Sequence, residues 1–410
     1  MNTSRRKFLQ STVGSSTLLT MSAAAPQFLL QTSAAADSVK AIGENILVVV
    51  QLSGGNDGLN TVVPHTHDVY QANRFTLRIN SGQVLKIDDE LGFHPSLQGF
   101  SELLEEGKLS VVQGIGYPNP NRSHFSSMDI WHTAHRNEKD RSIGWLGRFL
   151  DGSSVAGGDV PALHLGSDQQ PLALAGERVQ VPTAASLEAF KLNVGGDARL
   201  RTAIQEQAES ERSKNNDLLG FLQQSTVSAF ASSERVQAAL SRYQSSVSYP
   251  SFSLARRLRT VAQLIDAGMS TRIYYLTVGG FDTHANQSGA HANLLRELGQ
   301  SVSAFVRDLT EHGHDKRVLV MTFSEFGRRL KENASQGTDH GVAAPMFLAG
   351  GKIKPGLIGA HPSLTDLDKG DLKHHTDFRQ VYAAVLDQWL GVNSQAVLGK
   401  KFEPAPVFKG

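Results

Sequence analysis

A handful of short stretches carry the residues that could do chemistry. Gly279-Gly280-Phe281-Asp282-Thr283-His284 sets an Asp and a His two positions apart. On extended backbone such a pair points to one side, so both can reach a single cation. An Asp–His hydrogen bond without metal is the plainer alternative. Ser324-Glu325-Phe326-Gly327 adds a carboxylate, and Gly337-Thr338-Asp339-His340-Gly341 adds an Asp-His pair between glycines. Oxygen and imidazole donors of this kind serve Zn²⁺, Mn²⁺ and Mg²⁺ sites. Asn56 and Asp57 lie in Ser53-Gly54-Gly55-Asn56-Asp57-Gly58, a turn whose glycines allow close backbone approach. Capping of that turn is their ordinary role. Arg122-Ser123-His124 stands before a helical stretch. The positive end of a helix suits a nucleophilic hydroxyl or a bound oxyanion, although a Ser there also serves as a simple N-cap. Arg122 could clamp a phosphate or sulfate group, or form a surface ion pair.

These residues need a scaffold that brings them together. The run 46–50, Ile-Leu-Val-Val-Val, is β-branched and too short for a buried helix, so it reads as a strand covered on both faces. Similar runs at 110–116, 271–278, 317–323 and 344–350 predict further strands, with shorter ones at 84–87 and 162–165. Leu97, Phe100, Leu103 and Leu104 fall at helical spacing before Gly107. They link 46–50 to 110–116 as strand, helix, strand, which predicts that the two strands run parallel. Helices are predicted at 125–134, 144–150, 251–268 and 291–313, and in a last stretch with Thr376 as N-cap and Gly391 as stop. His374 and His375 read as exposed, and His291 as a weaker ligand candidate. The first predicted strand and three later ones end in acidic, His, Asn or Ser clusters, and the carboxyl edge of an open α/β sheet is where ligands bind.

The 410 residues include 40 basic and 39 acidic side chains and no Cys. Such a balance gives no support for nucleic-acid binding, and the lack of Cys excludes disulfides, thiolate metal sites and a Cys nucleophile. Residues 1–36 hold Arg5-Arg6-Lys7, a diluted apolar stretch and Ala34-Ala35-Ala36. This is the pattern of a twin-arginine export leader. It predicts handling by that machinery, a periplasmic or secreted destination, and no stable membrane insertion after cleavage. Residues 37–410 then form one α/β domain. The polar stretch 198–247 is expected to be a helical insertion laid over it.

SGGNDGLNTVVP, NRSHF, GGFDTHANQ, TFSEFGRR and GTDHG occur in that order behind the leader. Together they resemble the bacterial domain-of-unknown-function 1501 family, itself similar to the alkaline phosphatase and sulfatase superfamily. The resemblance implies a doubly wound, mostly parallel α/β sheet with one or two divalent metals beside a nucleophile. By position, Ser123 is implied as nucleophile, with Arg122 or Asn56 holding substrate oxygens. Asp57, Asp282, His284, Glu325 and His340 are implied as metal ligands. Phe326 stands where the superfamily places a ligand His, which leaves the set one short unless Asp339, His124 or Asn56 supplies it. The expected activity is hydrolysis of phosphate or sulfate esters, on small or polymeric substrates. The alternative is a non-catalytic binding or assembly protein that keeps the fold.

Overall fold

The computed structural model describes residues 44–153, 160–184 and 241–409. The leader at 1–36 and most of the insertion expected at 198–247 lie outside the described residues.

The apolar run after Asn45 forms β1 (Ile46–Leu52), and every residue of it is buried. β-Branched side chains on both faces demand cover on both faces, and the strand sits near the middle of a nine-stranded sheet. The other strands that position the site are β2 (Leu109–Gly116), β3 (Ala162–Leu165), β4 (Thr183–Ala184), β5 (Ile273–Val278) and β6 (Val318–Phe323). They are joined by β9 (Ala344–Gly350), β10 (Gly356–Ile358) and β11 (Thr376–Asp377), while β7 (Arg328–Glu332) and β8 (Thr338–His340) make a separate antiparallel pair. The order across the sheet is β10-β2-β9-β6-β1-β5-β3-β4, with β11 beside β2. β1 is parallel to both neighbours, β5 and β6. Only β9 runs against its partners.

Alternate residues of β1 enter opposite cores. Ile46, Val48 and Val50 face one layer with Leu258, Leu298 and Phe305, from α4 (Ser253–Asp266) and α5 (Gln287–Glu311). Leu47 and Val49 face the other, with Trp131 of α2 (His124–Thr133), Phe149 of α3 (Trp145–Asp151) and Tyr382 of α6 (Phe378–Ala384). The fold is therefore the expected α/β sheet with helices on both faces, mostly parallel. The helix predicted around Leu97–Leu104 is α1 (Gln98–Glu105).

Two local expectations change. β1 and β2 point the same way, but β6 and β9 lie between them. The helix–strand connection thus crosses two positions that later strands fill. The N-cap of α6 is Asp377, not Thr376: its side chain accepts from Arg379 N, and Gln380 closes a capping box. Thr376 is still part of β11, in register with Ile115.

Because β5, β1 and β6 are adjacent and parallel, their carboxyl ends open into one set of loops. Gly54 takes φ +123, and a Cβ there would lie 2.3 Å from the backbone N of Asp282. Only glycine lets the β1 and β5 loops meet so closely. We expect Gly54→Ala to cost more than about 1 kcal/mol through strain and clash, read as a lowered denaturation midpoint. An unchanged midpoint would show that the loops yield.

Candidate metal centre

Three of the chemical stretches meet at this edge, with one addition. Asp282 follows β5, His340 ends β8, and His124 opens α2; one ligand atom from each lies within 4.8 Å of the others. His124 Nε2 faces Asp282 Oδ2 at 3.4 Å, and His340 Nε2 faces Asp282 Oδ1 at 3.2 Å. The antiparallel register of β7 and β8 sets Arg328 opposite His340, which brings a cation to the same carboxylate. Arg328 Nη2 donates to Asp282 Oδ1 at 2.8 Å. Burial pushes the Asp282 carboxyl up, but the hydrogen bond and charge of Arg328 outweigh it and hold it down at about 2.

The far side of each imidazole fixes its proton. His340 Nδ1 donates to the Arg122 carbonyl at 2.8 Å, and a carbonyl can only accept. His124 Nδ1 donates to Glu325 Oε1 at 2.8 Å. In the neutral rings both Nε2 atoms therefore turn lone pairs toward Asp282. That of His124 is buried and has no hydrogen-bond partner. An orphaned imidazole nitrogen aimed at a carboxylate, with its other nitrogen on an acidic side chain, is the arrangement of a metal-binding His. Two imidazoles and a carboxylate also match the three-ligand sets that leave one coordination position of a metal open. The Glu325 hydrogen bond raises the basicity of His124.

His284 borders this triad. Its Nε2 is 2.8 Å from His340 Nε2 and 3.1 Å from Asp282 Oδ1. Two lone pairs cannot meet at that distance, so in the absence of a cation one of the two Nε2 atoms holds a proton, which a bound cation would displace. The expected Asp–His pair, Asp282 and His284, thus lies together with His340. Asp339 is exposed, 3.5 Å from His284 Nδ1, and accepts from Asn333.

Other expected ligands are engaged elsewhere. Asp57 is fully buried, and Arg74 grips both of its oxygens at 2.6 and 3.0 Å while Gln287 Nε2 donates to Oδ2. Its carboxylate is neutralised by a guanidinium instead of presented to a metal. Glu325 is likewise buried, and Oε1 accepts from Gly54 N and His124 Nδ1, so it orients the His124 ring. Asn56 turns inward: Oδ1 accepts from Thr61 and pairs with His291 Nε2 at 3.0 Å. Arg122 pairs with the buried Asp371 and reaches the site through its carbonyl. His291 is buried, His375 exposed and His374 half-buried. Phe326 backs the cluster, its ring centroid 5.0 Å from His124 and 4.5 Å from His340.

Ser123 occupies the N-cap position of α2 but makes no side-chain capping bond. It is exposed, next to His124. Its hydroxyl is free of the role that a plain N-cap would give it. Sequence reasoning offered His124 only as a stand-in ligand. The sole signal for it was its place in NRSHF.

Residues 44–400 match the family described as a protein of unknown function (DUF1501). The chain belongs to the DUF1501 family. No curated protein matches it. Among solved structures, this DUF1501 chain is similar to a protein in the alkaline phosphatase superfamily from Vibrio parahaemolyticus. That match has 7% identity, TM-score 0.40, and covers 91% of this chain and 76% of that one. The soluble domain of lipooligosaccharide phosphoethanolamine transferase A from Neisseria meningitidis matches at 11% identity and TM-score 0.37, over 93% and 98%. The C-terminal periplasmic domain of EcEptC from Escherichia coli, in complex with Zn, matches at 10% and 0.34, over 77% and 78%. Among the described residues of the DUF1501 chain, no helix is long and apolar enough to cross a membrane.

Removing the Asp57 carboxylate leaves Arg74 buried without its counter-charge, and we expect Asp57→Ala to cost about 3–5 kcal/mol in denaturant unfolding. Burial pushes the Asp57 carboxyl up, but the charge and hydrogen bonds of Arg74 hold it at about 2. A carboxyl so depressed stabilises the fold fully above its unfolded value of about 3.9. That contribution is lost as pH falls through about 2. The acid limb of a melting-temperature profile should therefore flatten in Asp57→Asn, and an unaltered limb would remove Asp57 as its source.

Proposed function

We propose that this DUF1501 chain is an exported, metal-dependent hydrolase of phosphate or sulfate esters, with Ser123 as nucleophile. The observation that carries the reading is the buried, unpartnered Nε2 of His124, converging with His340 Nε2 on Asp282. His124, His340 and Asp282 would hold Zn²⁺, Mn²⁺ or Mg²⁺, with the two imidazoles favouring the first two. A cation there supplies Lewis-acid stabilisation of the ester oxygen and eases ionisation of a neighbouring hydroxyl.

The chain's own groups do the rest. Glu325 and the Arg122 carbonyl fix the two imidazoles, and Arg328 keeps Asp282 ionised. Ser123 Oγ forms a bond to phosphorus or sulfur as the ester oxygen leaves on the opposite side and takes a proton. Water then cleaves the seryl ester and restores the hydroxyl. We further read the site as holding one cation, because Arg74 neutralises Asp57, the carboxylate that a second metal would use. Export is supported by the leader features of residues 1–36.

A second reading is favoured by Phe326, an apolar ring where a ligand would stand. On that reading the chain is a binding protein that keeps one cation and no turnover. Protein purified without chelator separates the two by metal analysis and by assay on aryl phosphate and aryl sulfate esters with added Mn²⁺ or Zn²⁺. We expect about one metal per chain, lost in His124→Ala and in His340→Ala. Ser123→Ala should keep the metal and lose turnover by roughly 10³-fold or more. Two metals would refute the single-cation reading. Bound metal with no turnover would favour the binding protein, and metal-free, inactive protein would end the hydrolase reading.

A further inference from the structure

A cleft of about 680 Å³ opens beside the metal centre, with His124 and Glu325 forming its shared wall. Its lining has a distinct chemistry. Gln51, Gln169 and Gln170 supply amides, Asp129 and Asp168 supply carboxylates, and among the described residues no Lys or Arg lines it. At its rim stands Phe125, 85% exposed and adjacent in sequence to His124. The Gln51 amide is held in one orientation: Oε1 accepts from Tyr275 O–H at 2.6 Å and pairs with His132 Nε2 at 2.8 Å. That leaves Nε2 as the donor it can turn to the cleft.

We propose that this cleft binds the alcohol portion of the ester, and that this portion is a neutral, hydroxyl-rich ring system such as a hexose or short oligosaccharide. The proposal rests on the hydrolase reading for where the ester bond sits, but the cleft stands as a binding site without it. Hydroxyls both donate and accept, and amides do the same, whereas an ammonium group only donates. A lining with carboxylates and, among the described residues, no Lys or Arg repels polyanions. An exposed aromatic face covers the apolar side of a sugar ring while its hydroxyls meet the polar wall, the usual mix of apolar contact and few placed polar groups in a ligand site.

The test measures binding, so it does not need turnover. Calorimetry and saturation-transfer NMR on the full chain would compare neutral gluco-, xylo-, manno- and galacto-hexaoses with phosphocholine and tripolyphosphate. At least one hexaose should bind, and Phe125→Ala should weaken it roughly 10-fold, a stacking contribution converted to affinity. Asp129→Asn should weaken the same hexaose, with melting temperature and metal content unchanged in both variants. Failure of every hexaose to bind, binding indifferent to Phe125→Ala, or preference for phosphocholine or tripolyphosphate would each overturn the proposal. Hexaose binding without ester turnover would instead count against the hydrolase reading alone.

Discussion

The geometry of the site depends on one buried guanidinium, that of Arg328, whose side chain is fully shielded from solvent. Nε donates to the Gly55 carbonyl at 2.7 Å and Nη1 to that of Thr338 at 2.7 Å. Nη2 serves Asp282, the Phe281 carbonyl at 3.1 Å and the Gly54 carbonyl. These acceptors come from the loops after β1 and β5 and from β8, so one rigid planar group fixes three segments at once. A buried charge deprived of its partners costs several kcal/mol, which makes the loop positions mutually dependent. The glycines are the other half of this constraint. A Cβ on Gly55 would fall 2.4 Å from the Phe326 ring, and one on Gly341 would lie 2.5 Å from the Arg328 backbone.

That tie explains how chemistry-bearing residues from His124 to His340 become one cluster. The parallel register of β5, β1 and β6 delivers Asp282, Gly54 and Glu325 to the same edge. Glu325 then links two of the arrivals, holding Gly54 N and His124 Nδ1 on one oxygen. The imidazole is thereby turned so that its free nitrogen meets Asp282. Orientation comes from neutral carbonyls and one carboxylate. Within the triad, Asp282 presents its charge forward, half-exposed and ionised.

The strands and the two-sided core were legible because buried parallel strands leave long β-branched runs, and because glycine clusters mark their ends. Asp282 was legible by the same logic, since it stands at the end of a predicted strand, whereas His340 was legible only through the family resemblance. What the pattern could not show was neutralisation. Arg74 reaches Asp57 from just beyond a short helix, Asp68–Asn73, in a region with no regular apolar period. Nothing local to Arg74 marks it as a buried partner. The N-cap at Asp377 was misplaced by one residue because Thr376 caps equally well in isolation, and only pairing of Thr376 with Ile115 holds it in the strand. His124 was weakly marked for a similar reason: a single imidazole after a Ser at a helix start has no periodic partner.

A fixed guanidinium beside the carboxylate is not equivalent to a second metal. Every nitrogen of Arg328 already has an acceptor within the protein. It can hold Asp282 ionised, but it has no open coordination position, and its side chain is fully shielded from solvent. On the proposed hydrolase reading, charge that develops on a departing ester oxygen would be met by a cation between His124, Asp282 and His340, or by the positive end of α2. Ser123 and His124 are consecutive at that same helix end. The proposed nucleophile and one proposed ligand thus sit at the dipole end of one helix, and Glu325 fixes that helix to the sheet through His124. The Glu325 segment docks that helix twice, through its side chain on His124 Nδ1 and through its carbonyl, which accepts from Ser127 Oγ at 2.6 Å, and the burial of Glu325 keeps water out of both contacts.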